Sequence, residues 1–239
     1  FGMTLVIAIF FGLIYWDKGQ KTSKQQDLQN LFGAMYSICI FLGTSNAISV
    51  IPVICVERTV YYRERAAGMF AAMPYALAQV AVEIIYVSVQ SVVYVLILYA
   101  MIGFKWELGK FCLFFYFMWA SFIIFTLYGM MIVALTPGQQ VATIVLSFFL
   151  SVWNLFSGFL VARSDIPVWW RWYYWACPMA WTLYGLATSQ FGDIQDKLET
   201  GETVEEFTRQ YFGFKQEFIG VVAAVASATS SPKNLVASN

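Results

Sequence analysis

Residues 111–162 contain no charged side chain. A spanning helix needs only about 20 apolar residues, so this run is too long for one. Its natural break is TPGQQ at 136–140, because Pro-Gly punctuates helical sequence. Charge is also absent from 29–56 and from 66–82. The whole chain is 60% hydrophobic and 12% charged, whereas about a quarter of a soluble domain is charged. No water-soluble fold of this size hides so much apolar surface, and the sequence reads as an integral membrane protein.

The apolar runs predict an all-α membrane domain over 1–225, with spans at about 1–16, 31–56, 74–104, 111–135 and 140–162. The first run rises only about 24 Å and opens on Phe1 with no basic n-region. It is therefore expected to be a helix cut at its start, and the sequence a fragment rather than one led by a signal peptide. DKGQKTSKQQDLQN (17–30) and KWELGK (105–110) read as loops. From Phe218 another apolar run begins and dissolves into TSSPKNLVASN, which predicts a truncated sixth helix over 218–228 and an atypical polar tail over 226–239. Within 163–217, the stretch 166–186 is crowded with Trp and Tyr and interrupted by Pro167 and Pro178. Such aromatics favour the membrane–water boundary, so an interfacial or re-entrant helix pair is expected there rather than a further span over 172–192. The acidic piece 193–217 follows.

Several chemistries are missing from the sequence. Histidine is absent, which excludes histidine-based metal sites and acid–base catalysis. There is no GxxxxGK[ST] loop to cradle ATP phosphates and no HExxH, nor any nucleophile–base pair. Cys39, Cys55, Cys112 and Cys177 are scattered without a CxxC pair, and the three that fall in or beside apolar spans read as small core residues. The chain is expected to be no enzyme and to hold no cofactor or metal.

Four constellations remain. VERTVYYRERAAGMF (56–70) gathers Glu57, Arg58, Arg63, Glu64 and Arg65 around Tyr61 and Tyr62. It reads either as a solvated connector whose arginines meet lipid phosphates, or as an amphipathic helix on the membrane surface offering an aromatic, mixed-charge face to a soluble partner. Inside the third span, Glu83 aligns at helical spacing with Gln79, Tyr86, Gln90 and Tyr94. An intramembrane carboxylate is costly unless neutral, paired or facing water, so this stripe should face protein or a cavity. It reads as an interhelical hydrogen-bond network, as the wall or relay of a transport path, or as a proton-coupling device. Small residues four apart (Gly33/Ser37, Gly43/Ala47, Ser147/Ser151) suit close helix approach. Asn154 is an amide deep in an apolar helix, placed to bond across an interface or to touch a substrate.

The long motifs VERTVYYRERAAGMFAAMPYALAQVAVE, LTPGQQVATI, WNLFSGFLVARSDIPVWWRWYYWACPMAWTLYGLATSQFGD and YFGFKQEFIGVVAAV resemble the pleiotropic drug resistance type of ABC transporter, subfamily G. The similarity covers about 1–225 and is strongest to the second, C-terminal transmembrane domain of the full-size plant proteins. It implies an ABC-2 type domain with five full spans, a truncated sixth, and re-entrant helices in a large extracellular loop at 163–217. It also implies a cytosolic coupling helix at Glu57, Arg58, Tyr61, Tyr62, Arg63, Glu64 and Arg65, and an acidic third-helix position at Glu83. A substrate path is implied at Leu42, Ser45, Ser151 and Asn154 with Ser88 nearby, and a hydrophobic valve at Phe159 and Leu160 at the outer end of the fifth helix. The lysines at 18, 21, 24, 105 and 110 outnumber the arginines of 56–70, so the positive-inside rule alone favours the opposite orientation.

The function the resemblance implies is ATP-driven export of amphipathic or apolar small molecules by alternating access, in a multi-pass protein of the plasma membrane. ATP and Mg would belong to nucleotide-binding domains outside this chain. The implied partners are those domains, the other transmembrane half, the bilayer and the small amphipathic substrate, with no nucleic acid. The alternatives are a truncated, non-transporting remnant, a membrane interaction partner of full transporters, or a proton-coupled secondary carrier.

Overall fold

The computed structural model describes residues 2–19, 25–69, 71–104, 106–157, 159–161 and 166–191. Among the described residues, seven α-helices carry the fold: α1 (Gly2–Ile14), α2 (Gln25–Ala66), α3 (Ala72–Ile102), α4 (Leu108–Leu135), α5 (Gln139–Leu155), α6 (Arg171–Ala176) and α7 (Pro178–Phe191). A 3-10 turn, Val168–Trp170, precedes α6. Of these, α2, α3 and α4 are long and apolar enough to cross a bilayer. The expected helix at 218–228, the tail at 226–239 and the acidic piece at 193–217 lie outside the described residues.

The largest departure from expectation is α2. A span over 31–56 followed by a solvated connector or a separate surface helix was expected, but one helix of 42 residues covers both. Its length is about 63 Å, twice the roughly 30 Å of a hydrocarbon core, so the charged stretch continues the helix axis instead of turning along the surface. Pro52 lies inside it, at a position where a spanning helix tolerates a missing N–H. The helix stops only at Gly68, whose φ of 76° suits a residue without Cβ. There Gly68 N–H donates to the Arg65 carbonyl at 3.0 Å and Met69 N–H to the Glu64 carbonyl at 3.1 Å, the paired bonds of a Schellman termination. Charge clustering marked a boundary; the backbone obeys the glycine instead.

Helix α5 is shorter than expected. It ends at Leu155, where Phe156 N–H bonds back to the Val152 carbonyl, so Phe159 and Leu160 follow the helix and are not its outer end. The aromatic region divides as well. Trp169 and Trp172, around the start of α6, are exposed as boundary residues should be, whereas α7 is buried along nearly its whole length. Helix α7 lies against α4: Ser121 Oγ donates to Thr182 Oγ1 at 3.3 Å and Gln190 Nε2 to the Lys110 carbonyl at 3.2 Å. At 14 residues it rises about 21 Å, too little to cross.

Lipid offers no hydrophobic drive for helix association, so packing depends on small residues and interhelical hydrogen bonds. On α2, Gly43 lies under the Phe125 ring and Ala47 faces Gly129 of α4; a Cβ at Gly129 would stand 2.7 Å from the Ala47 carbonyl oxygen. Of the other expected pairs, Gly33 meets the Phe159 ring, while Ser147 and Ser151 are exposed rather than packed in a helix contact. Helices α2 and α3 run antiparallel along a polar seam. Gln90 donates to Asn46 Oδ1 at 2.9 Å and Gln79 donates to Glu57, while Tyr61 and Tyr75 stack with centroids 4.4 Å apart. These three pairs recur at matching steps on the two helices. Gly129→Val should therefore separate α2 from α4 at a cost of about 1–3 kcal/mol, read as a lower melting temperature in lipid nanodiscs. Gly109→Ala, where an added Cβ meets nothing within 4 Å, should leave that temperature unchanged.

Candidate functional site

Two regions carry chemistry that packing alone does not consume. The first is a groove of about 370 Å³ between α2 and α5. From α2 it is lined by Ile40, Phe41, Thr44, Ser45 and Ile48, and from α5 by Ser147, Leu150, Ser151 and Asn154. Along α5 each hydroxyl donates one turn back: Thr143 to the Gln139 carbonyl at 3.0 Å, then Ser147 to Thr143 and Ser151 to Ser147 at 2.8 Å each. With its proton committed to the helix, each of these oxygens keeps only acceptor capacity. Asn154 Oδ1 adds a buried oxygen without a hydrogen-bond partner, and an unmade bond of that kind costs about 1–3 kcal/mol. On the α2 side the groove is thus apolar at Ile40, Phe41 and Ile48 with hydroxyls at Thr44 and Ser45, on the α5 side it is lined with acceptors, and none of its lining residues is charged.

Of the five residues expected on a substrate path, Ser45, Ser151 and Asn154 meet in this groove. Leu42 does not: only 1% of its surface is exposed, inside the core, because it lies on the side of α2 that packs into the bundle. Ser88 does not either. Its hydroxyl donates to the Ile84 carbonyl at 2.6 Å and accepts the Trp119 indole N–H at 2.8 Å, which places it between α3 and α4. Phe41, Thr44 and Ile48 were missed, although with Ser45 they repeat at helical spacing on one face of α2. Nearby, Phe159 stacks on Tyr36 with centroids 4.9 Å apart, and Tyr36 Oη donates to the Asn154 carbonyl at 3.4 Å. Leu160 points outward and is exposed, so the expected pair does not act as one unit in this arrangement.

The second region is the end of α2 that bears the charges. Arg58 turns inward. Its Nη1 donates to the Val133 and Thr136 carbonyls at 2.6 and 2.5 Å, and its Nη2 to the Pro137 carbonyl at 3.0 Å. The last carbonyls of a helix have no intrahelical donor and form the negative end of its dipole. Arg58 therefore caps α4 and holds the turn into α5. Tyr61 is also turned inward, stacked on Tyr75. Neither is free for a soluble partner, which corrects the expectation for these two. Tyr62, Arg63 and Arg65 are exposed, Glu64 is half-buried, and Glu57 is exposed while accepting from Gln79.

The polar stripe on α3 splits along the helix. Gln90 donates to Thr4 Oγ1 at 2.7 Å and to Asn46, joining α1, α2 and α3, and Tyr94 Oη donates to the Ile38 carbonyl at 3.1 Å. Glu83 and Gln79 open onto a cleft of about 410 Å³ between α2 and α3. Tyr86 is 58% exposed, contrary to the expectation that the whole stripe is covered. Among the described residues no group of metal-binding side chains occurs.

Residues 1–191 match the sequence profile of the ABC-2 type transporter family. The chain belongs to that family. Its sequence is 60% identical over 228 residues to pleiotropic drug resistance protein 1 of Nicotiana tabacum, 56% over 226 residues to ABC transporter G family member 40 of Arabidopsis thaliana, and 56% over 228 residues to ABC transporter G family member 44 of Oryza sativa subsp. japonica. The alignments cover 95%, 94% and 95% of the chain, which spans 16% of the length of each of these relatives. An ABC-2 membrane domain is a permease part of a transporter and not a catalytic domain.

Within this domain, Arg58→Gln should remove charged hydrogen bonds worth roughly 1.5–3 kcal/mol each and lower the melting temperature in nanodiscs. Arg63→Ala and Arg65→Ala, which alter exposed side chains, should not.

Proposed function

We propose that this sequence is the second, C-terminal transmembrane domain of a full-size pleiotropic drug resistance transporter of subfamily G, located in the plasma membrane. It exports amphipathic or apolar small molecules by alternating access, driven by nucleotide-binding domains that supply the ATP and Mg chemistry. The observation that carries this reading is the α2–α5 groove, in a family of transporters, where Ile40, Phe41 and Ile48 with the Thr44 and Ser45 hydroxyls face a row of acceptors that ends at Asn154. Pockets of this make-up suit a ligand with an apolar body and one or two directed polar groups. Here those polar groups are hydrogen-bond donors.

The rest of the reading follows from it. The Arg58 end of α2 is cytosolic, and Glu57, Tyr62, Arg63, Glu64 and Arg65 form the coupling surface on which a nucleotide-binding domain rests. Arg58 and Tyr61 act behind that surface, tying it rigidly to α4, α5 and α3. A push on the exposed end of α2 then reaches the groove through α2 itself and through the capped α4–α5 turn. On this topology, α2 to α5 are four of the spans, α1 is part of the first, and the run at 218–228 belongs to a sixth. Helices α6 and α7 are the re-entrant pair, entering and leaving on the extracellular side. Phe159 closes the outer end of the groove by resting on Tyr36.

In inside-out vesicles containing a full-size transporter with this sequence, Asn154→Leu should weaken the affinity for a transported hydroxylated amphiphile by about 1 kcal/mol, roughly fivefold. Nucleotide affinity should not change. An unaltered transport KM would remove the groove from the substrate path. Reversing the signs at Arg63, Glu64 and Arg65 together should abolish transport while ATP hydrolysis continues. Normal transport at normal surface expression would defeat the coupling assignment.

A further inference from the structure

Helix α1 lies in the groove between α2 and α3, and its contacts trace that groove. An added Cβ at Gly12 would clash with Met101, Phe11 meets Phe41 with ring centroids 5.3 Å apart, and Thr4 accepts from Gln90 where Gln90 also holds Asn46. Three helical turns further along the same seam, Gln79 bonds Glu57, but there no helix among the described residues covers it. Along α3 below Gln90, Tyr86 is 58% exposed and Glu83 borders the open cleft. The cleft has apolar walls (Val56, Val60, Ala78, Val82), and its ionisable groups include the carboxyls of Glu57, Glu64 and Glu83.

Glu83 lies eleven residues past the start of α3 at Ala72, about 17 Å along its axis. Among the described residues no hydrogen bond or salt bridge reaches it, and the nearby cations are committed or turned away. Arg58 is spent on the α4–α5 carbonyls, while Arg63 and Arg65 are exposed on the last turns of α2. A carboxylate at that depth demands a counter-charge, a proton or water.

We propose that the cleft seats an apolar helical segment running in line with α1 and carrying one Lys or Arg that pairs with Glu83. Continuity with the α1–α3 interface supplies the path, and the carboxyls set the sign of the charge. The proposal rests on the placement of the sequence in a longer chain, for which the relatives, of which it spans 16%, offer the polypeptide. It does not depend on transport. Glu83 is seven residues from Gln90, about 10 Å along α3. A long basic side chain also reaches along the helix. The cation therefore belongs within about two helical turns N-terminal to Thr4. With the segment in place Tyr86 is covered, and the stripe from Gln79 to Tyr94 faces protein along its whole length.

The test uses a full-size transporter carrying this sequence, with its accessible native cysteines replaced. Glu83→Cys is combined with single cysteines placed in turn through the two helical turns preceding Thr4, and disulfide formation in membranes is scored. The expected result is cross-linking confined to one helical face, with slow labelling of the Glu83→Cys thiol by a cationic thiosulfonate. Glu83→Lys should lose surface expression, and exchanging the opposing Lys or Arg for Glu should restore it. Three outcomes would overturn the proposal: labelling as fast as for Arg63→Cys, cross-links only to another element or chain, or no rescue by the charge exchange. Cross-linking and labelling read the seat directly, so they remain informative if Glu83→Lys fails to fold or if the groove proves not to carry substrate.

Discussion

Gly129 lets α4 lie directly on the Ala47 carbonyl of α2, and the other helices take their positions from that contact. In a bilayer, surrounding lipid is as apolar as any side chain, so close backbone approach and hydrogen bonds must supply the attraction between helices. Once α2 and α4 touch, the far end of α4 lies within reach of Arg58, whose three bonds hold the turn into α5. Helix α5 then stands beside α2 at a separation that leaves a groove. The opposite half of α4 receives α7 through Ser121, Thr182 and Gln190. The charged end of α2 is thereby connected to the groove walls through rigid elements rather than loops.

The polar seam between α2 and α3 does a different job. Asn46–Gln90, Glu57–Gln79 and Tyr61–Tyr75 fix the register of two antiparallel helices whose apolar faces alone would allow sliding. The two hydrogen bonds engage amide and carboxyl groups that would be expensive to expose to hydrocarbon. The same seam is closed by α1 at Thr4 and open at Glu83. A contact that both specifies register and receives a third helix explains why polar residues recur at helical spacing in so apolar a span.

Much of this was legible in the sequence because membrane helices announce themselves by uninterrupted apolar runs. The all-helical class, the break at 136–138 and the small-residue contact at Gly43 and Ala47 all follow from pattern. What the pattern hid depends on partners distant in sequence. A charge cluster at 57–65 reads as a connector or a separate surface helix, yet no glycine or adverse turn chemistry intervenes before Gly68, so the helix continues. Leu42 and Ser45 share α2, but which of them faces the groove is decided by the position of α4. Arg58 reads as a surface charge until the carbonyls of residues 133, 136 and 137 are brought beside it. Around α6 the aromatic-rich stretch leaves Trp169 and Trp172 exposed, while α7, poorer in such residues, packs inside.

The central claim, that the groove between α2 and α5 receives an amphipathic substrate, is tested most directly by photoaffinity labelling. A photoreactive, hydroxyl-bearing terpenoid would be cross-linked to a full-size transporter carrying this sequence, before and after vanadate trapping of its nucleotide sites, and the modified residues mapped by mass spectrometry. The account predicts label on Phe41, Ser45, Ile48, Ser151 or Asn154 that is lost on trapping. Label confined to the outward faces of α1 and α3, unchanged by trapping, would contradict it.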